Sequence, residues 1–182
     1  IFLKDLLSDK EVFWLYRKLI NTPLWGLNGM PFTDDSRQYP TSAMLNIVVD
    51  GQDQFSASGL TIYGETLLFR INERLKDFKM EIPTQLDRFW INATFKEASS
   101  QWPHDDLPLP NYFSTVLFLS PVWKDQWMGS FFVEGVEFKF SPGSAVIFQS
   151  SDIHTGENPS MKCPYIRLTA NLMTHRESAN LK

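Results

Sequence analysis

Cysteine is almost absent: Cys163 is the single one in 182 residues. One thiol closes no internal disulfide, so the fold needs no oxidising compartment, and no C-x-x-C redox motif can be built. Its expected role is a small buried or half-buried side chain. Positive charge is not in excess either, with 17 Lys and Arg against 21 Asp and Glu and a net charge of -4. That excludes a sequence-independent nucleic-acid binder, which needs a clustered cationic face. No apolar run approaches the roughly 20 residues of a membrane span, and no secretory leader is recognisable. Membrane association is therefore not expected, and the cytoplasm is the expected compartment. Internal repeats and linkers are also missing, so residues 1–182 read as one domain. Histidine is the last scarcity, with three in all.

What is present is apolar and aromatic. Hydrophobic residues make up 43% of the chain, and the aromatics (15 Phe, 6 Trp, 5 Tyr) reach 14%. Such a load excludes a disordered chain and favours pleated surfaces. Ser8-Asp9-Lys10-Glu11 has the S-x-x-E form of a helix start, and Val12, Phe13, Leu15, Tyr16, Leu19 and Ile20 then recur at helical spacing as one apolar stripe. Thr22-Pro23 ends it. Residues 28–31 and 33–38 read as loops, and Met30 to Gln38 as a possible lid. Ala43 to Val49 reads as a strand, Gly59 to Tyr63 as a short extended piece and Gly64 to Phe78 as a second amphipathic helix.

From Leu86 the period changes to two, with Phe89, Ile91, Ala93 and Phe95 alternating with Trp90, Asn92, Thr94 and Lys96. Further strands are expected over Tyr112 to Ser120, Ser130 to Val133, Val136 to Phe140, Ala145 to Phe148 and Tyr165 to Met173, with a hairpin turn at Glu134-Gly135. Ser151 to Pro159 reads as turn-rich, and the chain from Thr174 as a polar tail. Helices first and short strands after describe a mostly β protein, with helices packed on one sheet of a β-roll.

The chemistry concentrates in Trp102-Pro103-His104-Asp105-Asp106. In an extended run His104 and Asp106 project to one face and Asp105 to the other. An imidazole and a carboxylate so placed form two-thirds of a 2-His-1-carboxylate metal site. His154 follows fifty residues later, in a β-roll that brings distant strands together, whereas His175 sits in the polar tail and reads as solvated. Arg167 and Thr169 share a face of the last strand. An inward arginine is costly unless it meets an anion, either an internal carboxylate or one on a ligand.

H-x-D at His104/Asp106, the distal His154, and R-x-T at Arg167/Thr169 together resemble the Fe(II)- and 2-oxoglutarate-dependent oxygenases. Between them, Thr115 to Ser120, Trp123 and Trp127-Met128-Gly129-Ser130 are similar to the strand–Trp–Gly-Gly pattern of the prolyl-hydroxylase-like branch, and Pro142 to Phe148 to the strand leading into the distal histidine. The likeness is good from about Arg88 to Met173 and loose before that. Two departures stand out: Ser130 replaces the second glycine, and Asn92 or Thr94 stands where prolyl hydroxylases often carry a tyrosine.

The resemblance implies a distorted double-stranded β-helix (jelly roll) over about 86–173. In it, His104, Asp106 and His154 would hold Fe(II), and Arg167 with Thr169 would hold the 5-carboxylate of 2-oxoglutarate. The implied reaction consumes O2, turns 2-oxoglutarate into succinate and CO2, and hydroxylates or desaturates a small-molecule, amino-acid or peptidyl substrate. Asp106 argues against halogenation, which takes a small residue at that place. Asn92, Thr94 and Tyr112 are the candidate substrate contacts, and Trp102, Trp123 and Trp127 candidate walls or packing. Rival readings are prolyl 4-hydroxylase-type modification of a protein, a non-catalytic cupin-like binding module, and a zinc hydrolase, for which Arg167 has no use.

Overall fold

The computed structural model describes residues 1–21, 26–28, 42–49, 52–53, 60–79, 83–96 and 102–176. The chain opens with strand β1 (Phe2–Leu3) and helix α1 (Asp9–Ile20). At its start the Ser8 hydroxyl accepts from the Glu11 backbone while the Glu11 carboxylate accepts from the Ser8 backbone, a complete capping box. Val12, Leu15, Tyr16 and Leu19 are buried, but Phe13 and Ile20 lie on the exposed flank, so the apolar stripe is narrower than the sequence suggested.

Strands β2 (Gly26–Asn28), β3 (Ser42–Val49) and β4 (Gln52–Asp53) follow, then helix α2 (Leu60–Leu75). Here the sequence misled. Leu60 to Tyr63 is helix, not an extended piece, and the helix gives way at Leu75 to a single 3-10 turn over Lys76–Phe78. The β-branched and aromatic run Thr61-Ile62-Tyr63 looks strand-like locally, and Gly64 looks like a start. Gly64 is instead a contact point, where an added Cβ would come within 2.7 Å of the Phe89 ring. Tertiary packing has overridden local propensity.

The β-roll is built from β5 (Gln85–Thr94), β6 (Tyr112–Phe118), β7 (Phe131–Val133), β8 (Val136–Phe138), β9 (Ala145–Gln149), β10 (His154–Gly156) and β11 (Arg167–His175). Among the described residues an eight-stranded antiparallel sheet runs β1-β9-β6-β11-β5-β3-β2, with β4 paired to β3, and a three-stranded sheet runs β10-β7-β8. The expected hairpin joins β7 to β8, with positive φ at both Glu134 and Gly135. β10 occupies part of the stretch read as turns, because β7 supplies its pairing partner from far away in sequence.

The large sheet divides its side chains cleanly. Phe89, Ile91 and Ala93 of β5 and Leu168, Ala170 and Leu172 of β11 join Val12, Leu15, Leu67 and Ile71 in a core beneath the helices. A second core between the sheets joins Val116, Phe118, Phe131, Val133, Phe140, Val146 and Phe148. The alternate residues of β5 and β11 point into the roll. The last strand runs two residues further than expected, so Thr174 and His175 are strand and not tail. His175 is not solvated, since its Nδ1 lies 2.5 Å from Asp87 Oδ2 and its ring stacks on Tyr112. Cys163 is buried, its thiol donating to the Tyr165 carbonyl. No described helix is long and apolar enough to cross a membrane. The Thr22-Pro23 stop, residues 29–38 including the expected lid, and the tail from residue 177 lie outside the described residues.

Candidate active site

His104 and His154 are brought together by backbone. They form an isolated antiparallel bridge in which each N–H donates to the other's carbonyl, at 3.0 and 2.8 Å, and their ring centroids lie 4.4 Å apart. Each imidazole is also oriented: His104 Nδ1 lies 2.9 Å from the Trp102 carbonyl, and His154 Nδ1 3.0 Å from that of Asp152. Both Nδ1 atoms are therefore assigned the proton, which leaves each Nε2 lone pair free to bind a metal.

Asp106 completes the set. Its backbone N–H donates to the Ser150 carbonyl, its Oδ2 accepts from the Ser114 hydroxyl at 2.5 Å, and Ser114 in turn contacts the Ser150 hydroxyl at 2.9 Å. The same Oδ2 lies 3.7 Å from His154 Nε2. One ligand atom from each of His104, Asp106 and His154 falls within 4.8 Å of the others, the one such cluster among the described residues. Asp105 is exposed and outside it. Burial lowers the His154 pKa below the ordinary imidazole value, opposed by its bond to the Asp152 backbone and by the Asp106 charge, so the ring is a neutral ligand at neutral pH. Two neutral imidazoles, one carboxylate and open positions suit non-heme Fe(II).

The cluster opens on a cavity of about 150 Å³, also lined by Arg167, Thr169, Asn171, Trp90 and Asn92. Arg167 is 3% exposed. Its Nε donates to the Gly129 carbonyl at 3.0 Å, while its Nη2 is buried with no partner among the described residues. Burial pushes its pKa down to about 10, partly offset by Glu157, so it stays charged at neutral pH. Glu157 sits behind the turn, its carboxylate accepting from the Gly129 and Ser130 backbone N–H groups at 2.9 and 3.1 Å. An orphaned charged donor costs on the order of 1–3 kcal/mol. A ligand carboxylate at this place would remove that cost. Thr169 is poised beside it: its hydroxyl oxygen accepts from Asn171 Nδ2 at 3.3 Å, which leaves its O–H to donate into the cavity.

Of the remaining candidates, Asn92 lines the cavity, with its Oδ1 buried and unpartnered. Thr94 is buried cross-strand from Arg167, its hydroxyl also unpartnered. Tyr112 is not in the lining; it stacks on His175 at the other end of the strand. Trp102 is exposed, and Trp123 and Trp127 pack edge to face by the Gly129 turn. Ser114, Ser150, Asn171, Glu157 and Arg88 were missed by sequence reasoning. Ser114, Asn171 and Arg88 carried a signal, each a polar side chain on the roll-facing side of its strand by alternation, whereas Ser150 and Glu157 carried none.

No family model matches the chain, and no curated protein matches it. Solved structures do. An oxidoreductase of the 2OG-Fe(II) oxygenase family from Burkholderia pseudomallei superposes with a TM-score of 0.67 at 19% identity, covering 97% of this chain and 84% of that one. A prolyl hydroxylase from Trichoplax adhaerens, solved with a peptide fragment of the hypoxia inducible factor oxygen degradation domain, gives 0.63 at 15%, covering 97% and 83%. HygX from Streptomyces hygroscopicus, with nickel and 2-oxoglutarate bound, gives 0.62 at 12%, covering 97% and 82%. At these identities the likeness is one of fold. The chain has the double-stranded β-helix fold of the 2-oxoglutarate oxygenases.

Proposed function

We propose that this protein is an Fe(II)- and 2-oxoglutarate-dependent dioxygenase that hydroxylates a small-molecule, amino-acid or peptidyl substrate. The observation that carries the reading is one small cavity lined by both the His104, Asp106 and His154 cluster and Arg167, whose Nη2 has no partner among the described residues. A metal site alone fits many chemistries. A buried, charged arginine with one donor left over in the same cavity selects for an anionic co-substrate.

His104 and His154 would bind the iron through Nε2, each ring locked by its Nδ1–H bond to a carbonyl, and Asp106 through its carboxylate, held by Ser114. Arg167 and Thr169 would take the 5-carboxylate of 2-oxoglutarate, the arginine through its free Nη2 and the threonine through its O–H. With iron, 2-oxoglutarate and O2 bound, the site has the means to oxidise an unactivated C–H bond, with succinate and CO2 as co-products. Phe131, Val116 and Trp90 wall the chamber with apolar surface.

The Trichoplax enzyme was solved with a peptide, so a peptidyl substrate, including prolyl 4-hydroxylase-type modification, belongs within the proposal. The net charge of -4 argues against nucleic acid. A reduced iron and one cysteine suit the cytoplasm, the compartment we assign. Purified protein given Fe(II), 2-oxoglutarate and air is expected to release succinate slowly, faster with a true substrate, and not at all as His154→Ala. If 2-oxoglutarate binds but succinate never forms, the protein is a cupin-like binding module.

A further inference from the structure

The cavity has a second arginine in its wall. Arg88 lies on β5, on the face that alternation shares with Trp90 and Asn92, and lines the same chamber as Arg167. The register sets the two apart. Arg167 pairs with Thr94, whereas Arg88 pairs with Met173, roughly 20 Å away along β5 at about 3.3 Å per residue. Ser114, which braces Asp106, also pairs with Met173, so the ligand cluster stands toward the Arg88 end.

The Arg88 guanidinium has no ion-pair partner among the described residues. Its Nε is buried without an acceptor, and its Cζ lies 4.7 Å from the Trp90 ring centroid. The aromatic face steadies the cation but accepts none of its N–H donors in line. A half-buried arginine held over an indole in the wall of a cavity, with no carboxylate beside it among the described residues, is suited to an oxyanion. Charge counting points the same way. The two positive charges of the metal and the one on Arg167 meet one negative charge on Asp106 and two on 2-oxoglutarate. Among the described residues the charge on Arg88 is left over, and it complements one negative charge on whatever else enters.

We infer, resting on the oxygenase reading above, that Arg88 is a substrate-binding residue and that the primary substrate is a monoanion carrying a carboxylate. The Arg88 fork grips that carboxylate beside Trp90, and the carbon to be oxidised is held on the side of the ligand cluster. A phosphate ester carries up to two charges, and among the described residues no Lys or Arg other than Arg88 and Arg167 lines the cavity.

The test uses anaerobic Mn(II)-loaded protein with 2-oxoglutarate, titrated calorimetrically with matched probes. These are benzoate and benzamide, N-acetyl-L-proline and its primary amide, N-acetyl-L-phenylalanine and its primary amide, and methyl phosphate. For at least one pair the acid is expected to bind about tenfold or more tighter than its amide. Arg88→Gln erases that preference and Arg88→Lys keeps part of it, while both variants bind 2-oxoglutarate as the parent does. Arg167→Gln weakens 2-oxoglutarate instead. If 2-oxoglutarate binds but no pair shows the preference, or the preference survives Arg88→Gln, the assignment of Arg88 is wrong and the oxygenase reading stands. Methyl phosphate binding tighter than every acid overturns the carboxylate class. Failure to bind Mn(II) and 2-oxoglutarate at all overturns both.

Discussion

Gly129 fixes Arg167 from two directions. Its carbonyl accepts from Arg167 Nε at 3.0 Å, and a Cβ added at 129 would fall 2.7 Å from Trp123 Cζ2 and 3.4 Å from Arg167 Cδ. Its φ of +87° is also one that glycine alone adopts without strain. The glycine and the arginine, 38 residues apart, act as one device.

Gly129→Ala is therefore expected to shift the guanidinium and lower 2-oxoglutarate affinity by on the order of tenfold or more. Metal affinity without 2-oxoglutarate should not change. Calorimetry with Mn(II), then 2-oxoglutarate, separates the two; equal losses in both would mean the turn braces the whole site.

Ser114 is the support of Asp106. Ser114→Ala removes the hydroxyl that fixes the carboxylate rotamer and leaves Ser150 without that neighbour. Such supporting bonds are worth about 10–100-fold in metal affinity. Competition against a fluorescent chelator should show a loss in that range, with the melting temperature of the metal-free protein little changed.

Met128 sits at φ 60°, ψ -149°, a region close to glycine-only that costs a side chain about 1–3 kcal/mol. Its side chain is largely exposed, so truncation loses little packing. Met128→Gly should raise stability by about 1 kcal/mol after the glycine's larger chain entropy is subtracted. The readout is a higher urea midpoint at unchanged m-value.

Acid should weaken the metal-free fold through His154. Burial holds its folded pKa below the unfolded value near 6.5. As pH drops past that unfolded value, the unfolded chain takes up a proton that the folded one refuses, so stability falls until the folded pKa is passed. Urea midpoints between pH 7.5 and 5 are expected to decline more steeply for the parent than for His154→Gln.

Which parts of this site could be read from the chain follows from the range of each interaction. His104 with Asp106, and Arg167 with Thr169, are two residues apart on extended backbone, so alternation alone puts each pair on one face. His154 needed a partner strand, β7, and its segment looked like turns until that pairing was known. His175 was misread for the same reason, because β5 and β6 carry the last strand on to meet Asp87 and Tyr112. Alternation puts Ser114 and Arg88 on roll-facing sides, but the brace from Ser114 to Asp106 and the distance of Arg88 from Arg167 rest on cross-strand register, which no local pattern encodes. Leu60 to Tyr63 was lost to local propensity, which packing on Phe89 overrode.

On the proposed function, one cavity would bind Fe(II) through His104, Asp106 and His154 and 2-oxoglutarate through Arg167. Anaerobic addition of Fe(II) and then 2-oxoglutarate tests it directly, read as a weak visible charge-transfer absorption. The account predicts that band for the parent and for Asp105→Ala, and its absence for Asp106→Ala. No band in the parent, or equal bands from both aspartate variants, would contradict it.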